Sequence, residues 1–224
     1  MSKFDAKKAV KVQRLLSRKI IEKDMFIFPP RNVAGVDLAY IGEYAIGVAV
    51  LMDFDGLHVI ETAVSAHKIN IPYIPTLLAF REIPAMAKAI KRLKTRPDVV
   101  LVDAHGKIHP RRFGAASHLG VILGIPTIGV AKSPLFGSEY NGGKIVDGND
   151  ILGVKLNKNI YVSVGHMVSL DTAVKIVEKM RLYRLPEPLR RAHKAAEKIR
   201  NDMKLHKITV EDILEGKVSK VTLW

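Results

Sequence analysis

Two short runs rich in apolar and β-branched residues constrain the fold of this chain most strongly. Val99 to Val102 is wholly apolar, and Pro126 to Val130 is nearly so. Strands of this kind are typical of sheets that are covered by helices on both faces. Helical segments accompany both runs, since the patterns predict helices over Thr76 to Leu93 and Arg111 to Leu123. The sequence therefore predicts an α/β fold, with right-handed crossovers and parallel pairing in the second half of the chain.

The segments before this region predict strands without intervening helices. These strands are expected over Asn32 to Ala39, Tyr44 to Asp53 and Leu57 to Ser65. The link Asp53-Phe54-Asp55-Gly56 is a hairpin turn signal. Because all three strands are joined by short turns, we expect an antiparallel meander at the front of the sheet.

Further elements complete this pattern. Ile160 to Val164 predicts another buried strand, and Pro84 is expected to kink or bound its helix, whereas Gly124 is expected to cap the helix before it. Additional helices are predicted over Ala6 to Lys23, Asp171 to Tyr183 and Pro188 to Lys204. An antiparallel meander followed by parallel strands and helices is the order of ribonuclease H-like folds, a mixed central sheet flanked by helices. A likeness of fold alone says little about function.

Length and composition exclude several classes of protein. The chain has 224 residues and no linker rich in Pro, Gly or Ser, so we predict one domain over residues 1–224 and a monomer. No run of 18 or more apolar residues predicts a membrane span. Met1 to Lys23 lacks the apolar centre of a secretory signal, so we expect a cytoplasmic protein. The absence of cysteine excludes disulfides, cysteine nucleophiles and thiolate metal sites.

The charge balance points to a polyanionic partner. Lys and Arg number 36 against 22 Asp and Glu, for a formal net charge of +14. The phosphates of DNA or RNA are the simplest partner for such a protein. A solubility device or a general basic bias would give the same balance, and charge alone does not distinguish these interpretations.

Two carboxylates stand at apolar strands. Asp37 lies within the run Val33 to Ala39, and Asp103 directly follows Val102. A carboxylate in such surroundings is costly to desolvate unless a cation or hydrogen-bond donors meet it. Each Asp could instead cap a turn, but two of them on strands expected to be neighbours, in a basic protein, favour a site. Carboxylate oxygens at a rigid sheet edge suit Mg²⁺ or Mn²⁺, which activate water and stabilise charge on a phosphodiester.

The segment after Asp103 is dense in polar groups. His105, His109 and His118 have spacings that match no ordinary zinc motif, so hydrogen bonding in loops is the preferred interpretation. Lys132 follows a predicted buried strand and should lie at the same sheet edge as the acids, where it would meet a phosphate or remain a surface residue. No GxSxG or GxxxxGK[ST] motif occurs, which argues against serine hydrolases and nucleoside triphosphatases.

The segment Pro72-Tyr73-Ile74-Pro75 holds an aromatic ring between two prolines. A rigid, projecting ring can fill the gap in a base stack when a nucleotide is turned out. From the spacing alone, an ordinary turn with Tyr73 packed on the core is the preferred interpretation.

Taken together, these segments resemble the endonuclease V family. The similarity runs in consistent order from about Val33 to His193. Its motifs are Pro72-Tyr73-Ile74-Pro75 with Phe80-Arg81-Glu82, Val102-Asp103 with His105-Gly106, His109-Pro110-Arg111-Arg112, Ala116-Ser117-His118, Pro126 to Lys132, and Tyr183 to Pro188 with Arg190 and Ala192-His193.

The resemblance implies a ribonuclease H-like endonuclease that cuts the second phosphodiester bond 3′ to inosine, in DNA or RNA, leaving 3′-hydroxyl and 5′-phosphate ends. It implies that Asp37, Glu82 and Asp103 hold Mg²⁺, with Mn²⁺ able to substitute. His193 would lie near the metal or the scissile phosphate, and Lys132 would contact that phosphate region. Tyr73, within Pro72 to Pro75, would be the wedge. The hypoxanthine pocket would be bordered by Thr76, Leu78, Ala104, Gly106, His109 and Gly129.

The sequence departs from the family pattern at two glycines. Thr76 and Ala104 replace them at the expected pocket wall and add bulk that would affect base selectivity. Residues from about Met203 to Trp224 lie beyond the recognisable part, and their Glu211, Leu214 and Val218 allow a short helix and a strand. Two rival interpretations remain: another ribonuclease H-like nuclease, such as a ribonuclease H or junction resolvase, and a non-catalytic nucleic-acid-binding module.

Overall fold

A computed structural model describes residues 4–157 and 159–218. Over these residues, nine strands form one mixed sheet with helices on both faces. The strands are β1 Asn32–Ile41, β2 Tyr44–Asp53, β3 Val59–Lys68, β4 Val99–Val102, β5 Thr127–Ala131, β6 Ser138–Tyr140, β7 Lys144–Asp147, β8 Asp150–Leu156 and β9 Ile160–His166. The helices are α1 Ala6–Ser17, α2 Leu78–Arg92, α3 Ala115–Leu123, α4 Leu170–Lys179, α5 Glu187–Lys204 and α6 Val210–Leu214.

The sheet has the strand order β3-β2-β1-β4-β5-β9-β8-β7-β6. Strands β1 to β3 form the predicted antiparallel meander, and the turn after Asp53 joins β2 to β3 as expected. Strands β1, β4 and β5 are parallel neighbours. The α/β class and the mixed central sheet flanked by helices are confirmed.

The predicted parallel pairing is wrong for the strand at Ile160–His166. Strand β9 runs antiparallel to β5. A parallel strand would require a crossover helix, but residues 132–157 form no α-helix and instead fold as the antiparallel strands β6 to β8. These three strands extend the sheet beyond β9 and were not predicted from the sequence.

Several predicted helix boundaries are also wrong. Helix α1 ends at Ser17 rather than Lys23. Helices α2 and α3 begin later than predicted because Thr76 and Arg112 have positive φ angles of 64° and 55°, which end helical geometry for side-chain-bearing residues. Helix α2 continues through Pro84, so this proline does not bound it.

The other helix termini follow simple local rules. Helix α4 ends at Lys179, before the predicted Tyr183, and Gly124 caps α3 in the expected left-handed conformation with φ 61°. Helix α6 starts at a capping box formed by Thr209 and Asp212. It is the short helix expected in the C-terminal segment, whereas the strand expected near Val218 would extend into residues 219–224, outside the described residues. Within the described residues, no helix is long and apolar enough to cross a membrane.

The central strands bury apolar side chains on both faces of the sheet. In β4, Val99 and Leu101 join the core beneath α4 and α5, while Val100 and Val102 join the core beneath α2 and α3. All four are fully buried. The two helical layers therefore hold the strand ends rigidly in place, which is the requirement for a site built on those ends.

Gly35 in β1 allows helix α5 to approach the sheet closely. A Cβ atom at this position would overlap the backbone of Pro188 and Leu189, in the first turn of α5. Side chains alternate along a strand, so Asp37 points to the same face as Gly35. The close packing therefore sets where α5 lies relative to Asp37.

We predict that Gly35→Ala lowers the free energy of unfolding by about 2–3 kcal/mol, because backbone atoms must move to accept the methyl group. Urea denaturation measures this change. Gly56→Ala is the matched control, since its Cβ would meet only the ends of the His58 and Asp53 side chains in an exposed turn. Equal stabilities of the two variants would contradict the close contact between α5 and β1.

Candidate active site

Asp37 and Asp103 are brought together by the pairing of two parallel strands. Val36 of β1 pairs with Val102 of β4, and each Asp is the next residue along its strand. The amide of Asp103 donates to the carbonyl oxygen of Val36 at 3.3 Å. Both side chains are mostly buried, with exposed fractions of 13% for Asp37 and 14% for Asp103.

His193 approaches the two carboxylates from helix α5. Its Nδ1 atom lies 2.8 Å from Oδ2 of Asp37. One ligand atom from each of Asp37, Asp103 and His193 falls within 4.8 Å of the others, and this is the group with metal-binding potential found among residues 4–157 and 159–218.

The chemistry of this group fits a divalent cation. Burial raises the pKa of Asp37, and the nearby charge of Asp103 raises it further, while the hydrogen bond to His193 lowers it. Two carboxylates that repel each other in a partly buried site gain most from a cation between them. Carboxylate oxygens with one imidazole suit Mg²⁺ or Mn²⁺ better than the soft metals that prefer thiolates.

Lys132 lies at the same sheet edge, as the sequence predicts. It follows the last residue of β5, and its Nζ atom is 2.7 Å from Oδ2 of Asp103. The lysine side chain is 40% exposed. An ammonium group in this position is held beside the carboxylates and is still accessible to an incoming anion.

Glu82 lies near the group formed by Asp37, Asp103 and His193 but does not belong to it, and its carboxylate has a different hydrogen-bond partner. It projects from α2, and the hydroxyl of Tyr40 donates to its Oε1 atom at 2.9 Å. Burial raises the pKa of Glu82 to about 7, and the charges of Asp37 and Asp103 contribute in the same direction. The hydrogen bond from Tyr40 acts in the opposite direction, because it stabilises the ionised carboxylate.

A cavity of about 320 Å³ opens beside Glu82, Asp103 and Lys132. This volume is within the range of small-molecule binding sites. Among the residues of the predicted wedge and base pocket, the lining includes Tyr73, Pro75, Thr76, Leu78, Ala104 and His109. The Tyr73 side chain is not packed on the core, since the residue is 69% exposed at the rim. The cavity thus joins an aromatic rim to the carboxylate cluster.

Four other residues of the predicted wedge and pocket lie away from the cavity surface. Pro72 and Ile74 flank Tyr73 without lining the cavity. Gly106 and Gly129 are buried and pack against each other, so that a Cβ at Gly129 would overlap the amide of Gly106. Gly129 permits the close packing of the loop after β4 on β5, and Gly106 permits the close packing of the same loop on β9.

The three histidines of the central segment do not converge on one point. His105 Nε2 pairs with the carbonyl oxygen of Ser133 at 2.8 Å, and His109 Nε2 pairs with that of Thr76 at 3.1 Å. His118 packs between the rings of Phe80 and Phe113. Burial lowers the pKa of both His109 and His118 to about 4, so these rings are neutral near pH 7. Hydrogen bonding is confirmed for the first two.

Gln13 is a cavity residue that sequence reasoning missed. It lies in α1, is fully buried and lines the cavity. Its Nε2 atom donates to the carbonyl oxygen of Thr76 at 3.0 Å, and its Oε1 atom accepts from Nε of Arg111 at 2.7 Å. A signal was present in the sequence, because Gln13 is one helical turn after Ala9 on the inward face of an amphipathic helix, where a polar residue is uncommon.

Thr76 shows how the chain accommodates a side chain where glycine is expected. Its φ angle of 64° lies in the left-handed region. The carbonyl oxygen of Thr76 is contacted by Gln13, His109 and Arg111, and the Arg111 guanidinium also donates to the Thr76 hydroxyl at 2.5 Å. These bonds offset the cost of a left-handed threonine, on the order of 1 kcal/mol or more, and fix the end of the Tyr73 loop.

We predict that Tyr40→Phe moves the pH dependence of Mg²⁺ binding upward. A cation held at the Glu82 carboxylate, as expected from the sequence, would compete with the proton, so affinity should increase as pH rises through the pKa of about 7. Loss of the Tyr40 donor raises that pKa further, and the midpoint should rise by roughly one pH unit. Calorimetric titration with Mg²⁺ across neutral pH measures the midpoint.

Tyr44→Phe in β2 is the control for that experiment, because Tyr44 makes no contact with Glu82 among the described residues. An identical midpoint in wild type and the Tyr40 variant would show that the Tyr40 hydroxyl does not tune Glu82.

The chain is similar in sequence and in structure to proteins of one known family. The family model for endonuclease V matches residues 14–194. Endonuclease V of Thermofilum pendens is 41% identical over 201 residues, covering 85% of this chain and 87% of the relative. The crystal structure of endonuclease V from Streptomyces avermitilis superposes with a TM-score of 0.83 at 36% identity, covering 89% of this chain and 95% of that one. Ciona intestinalis endonuclease V, in complex with a 24mer DNA containing an inosine followed by a ribo-adenosine, has a TM-score of 0.76 at 33% identity, covering 91% and 98%.

Proposed function

The chain belongs to the endonuclease V family, whose members are nucleases that act on phosphodiester bonds, and on that premise we propose that it cuts the second phosphodiester bond 3′ to inosine. The products carry 3′-hydroxyl and 5′-phosphate ends, and the reaction belongs to the repair of deaminated adenine in DNA. The observation that carries this proposal is the sharing of Asp103 between the carboxylate cluster and the cavity. A base bound in the cavity would bring the phosphodiester backbone of the same nucleic-acid strand close to the carboxylates of Asp37 and Asp103.

We assign the metal to Asp37 and Asp103, with Glu82 completing the carboxylate set and His193 beside it. The fit rests on the donor chemistry of the cluster and on the mutual repulsion that raises the pKa of Asp37. Mg²⁺ is the proposed ion and Mn²⁺ its substitute. When bound, such an ion supplies Lewis-acid stabilisation of the phosphodiester and lowers the pKa of water.

We assign the binding of the phosphate and the orientation of Asp37 to two further side chains. Lys132 is half-exposed beside Asp103, so its ammonium group can bind the scissile phosphate region and offset the charge that develops there. The imidazole of His193 holds Asp37 through Nδ1 at 2.8 Å and orients that carboxylate. Its side chain is 43% exposed, which leaves the ring within reach of the phosphate.

Base selection is assigned to the cavity and its aromatic rim. A nucleotide turned out of the stack would place hypoxanthine against Thr76, Leu78, Ala104 and His109, while Tyr73 fills the gap that it leaves. Gly106 and Gly129 do not line the cavity, and their role is to allow close packing of the backbone behind these residues. The DNA complex of the Ciona relative, which contains inosine, supports DNA as the substrate. Inosine also occurs in RNA, and the same cavity would accept it there. We further propose one catalytic domain that acts as a monomer in the cytoplasm.

We predict that Asp37→Asn and Asp103→Asn each reduce Mg²⁺-dependent nicking by about 100-fold or more, because each removes a carboxylate assigned to hold the ion that stabilises charge on the phosphodiester. The assay compares matched oligonucleotides with and without a single inosine. Asp55→Asn, in the exposed turn after β2, is the charge-matched control and should retain full activity.

Three outcomes of that assay distinguish the candidate functions. Nicking that survives both Asp variants would refute the metal assignment. Nicking of wild type without regard to inosine would favour another ribonuclease H-like nuclease. Binding without any nicking would favour a non-catalytic module.

We also predict that Tyr73→Ala weakens binding to inosine in a duplex more than to inosine in a single strand. The wedge is needed only where a base stack must be held open, and loss of one stacking aromatic costs about 1–3 kcal/mol. Fluorescence anisotropy with both substrates measures the two affinities. Tyr140→Ala, at an exposed tyrosine of β6, is the control. Equal losses on the two substrates would remove the wedge role from Tyr73.

A further inference from the structure

Helix α1, together with Arg18 directly after its last residue, carries a row of four basic side chains on its outer face. Lys7, Lys11, Arg14 and Arg18 recur at intervals of four, three and four residues, which places them on one side of a helix. All four residues are exposed. We refer to this set as the α1 basic row.

The charge of the α1 basic row is not offset by neighbouring acids. None of the four side chains forms an ion pair within the part of the chain that the structure describes. Asp5 is the acidic residue at the start of the helix, and its carboxylate accepts a hydrogen bond from the amide of Lys8 at 3.0 Å.

The opposite face of α1 packs against the protein beside the cavity and thereby determines where the α1 basic row lies. Ala9 and Gln13 are buried there, and Gln13 both lines the cavity and bonds the carbonyl oxygen of Thr76. Arg14, the next residue, lies near Arg111, whose pKa is lowered by burial and lowered further by the charge of Arg14. Arg111 is in turn hydrogen-bonded to the cavity residues Gln13 and Thr76, so the α1 basic row lies near the cavity at Arg14.

We propose that the α1 basic row binds the phosphates of the nucleic-acid strand whose base enters the cavity. This inference rests on the proposed function, because it takes the occupant of the cavity to be a nucleotide. The row spans about 16 Å along the helix axis, which corresponds to roughly five phosphates of one strand. Its inward face is packed against the protein, and Leu15 is the exposed large apolar side chain of this helix, which is too little for insertion into a lipid surface.

The salt dependence of binding tests the proposal. The quadruple variant Lys7→Gln, Lys11→Gln, Arg14→Gln, Arg18→Gln should bind an inosine-containing duplex about tenfold or more weakly at moderate salt. The slope of log affinity against log salt concentration should become shallower by about 2–3, since each phosphate contact contributes close to 0.9. The double variant Lys7→Gln, Lys11→Gln should show about half of this change. Circular dichroism confirms that the variants are folded.

A second quadruple variant provides the matched control. Lys175, Lys179, Lys204 and Lys207 are exposed lysines on or directly after α4 and α5, the helices of the other sheet face. Their replacement by Gln changes the net charge equally. An unaltered slope in the α1 variant, or the same change in both quadruple variants, would overturn the proposal and leave only a general effect of net charge.

A separate experiment tests which strand of the nucleic-acid duplex the α1 basic row contacts. Neutral methylphosphonate linkages beside the inosine should weaken wild-type binding when they are in the inosine strand, and should have little effect in the opposite strand. The quadruple α1 variant should lose less affinity than the wild type from linkages in the inosine strand, with the remaining loss due to Lys132. An effect from the opposite strand alone would overturn the assignment.

Nicking by the wild-type protein separates this inference from the proposed function. Inosine-dependent nicking with an unaltered salt slope would refute the α1 basic row alone. A shallower slope without inosine-dependent nicking would refute the proposed function and retain α1 as a phosphate-binding surface.

Discussion

The parallel pairing of β1 with β4 is the constraint on which the site depends. Register places Val36 opposite Val102, and the next residue of each strand is an aspartate. Four fully buried side chains in β4 anchor that register from both faces of the sheet. A slip of one residue would send one carboxylate to the opposite face, so the core that stabilises the fold also fixes the distance between the two carboxylates.

The site brings three carboxylates close together, although their negative charges repel one another. Asp37 and Asp103 repel each other in a partly buried setting, and Glu82 has its pKa raised to about 7 beside them. This arrangement costs stability in the absence of a cation, and the cation that we propose would offset the repulsion between the carboxylates. Tyr40, His193 and Lys132 each donate to or contact one carboxylate and thereby hold it in its bound orientation.

Sequence patterns predicted the parts of this structure that follow from local rules. The front meander and the buried strands were accessible because burial on both faces leaves a continuous apolar pattern, and Asp37 and Asp103 were recognisable by their place in that pattern. Glu82 was identified only by resemblance, since an isolated glutamate on a helix has no distinguishing environment. Strands β6 to β8 were missed because β6 is wholly exposed and β7 has a single buried residue, so no apolar pattern marks these short strands. Gln13 was missed because its partners, Thr76 and Arg111, are brought to it only by folding.

The left-handed backbone at Thr76 connects parts of the chain that are far apart in sequence. Its carbonyl oxygen and hydroxyl are held by side chains from α1 and from the loop after β4, at positions 13, 109 and 111. Glycine would adopt the same backbone without such support, whereas threonine requires it. Positions 13, 76 and 111 should therefore covary during evolution: a lineage that acquires threonine at position 76 retains the glutamine and arginine, and one that reverts to glycine is free to lose them.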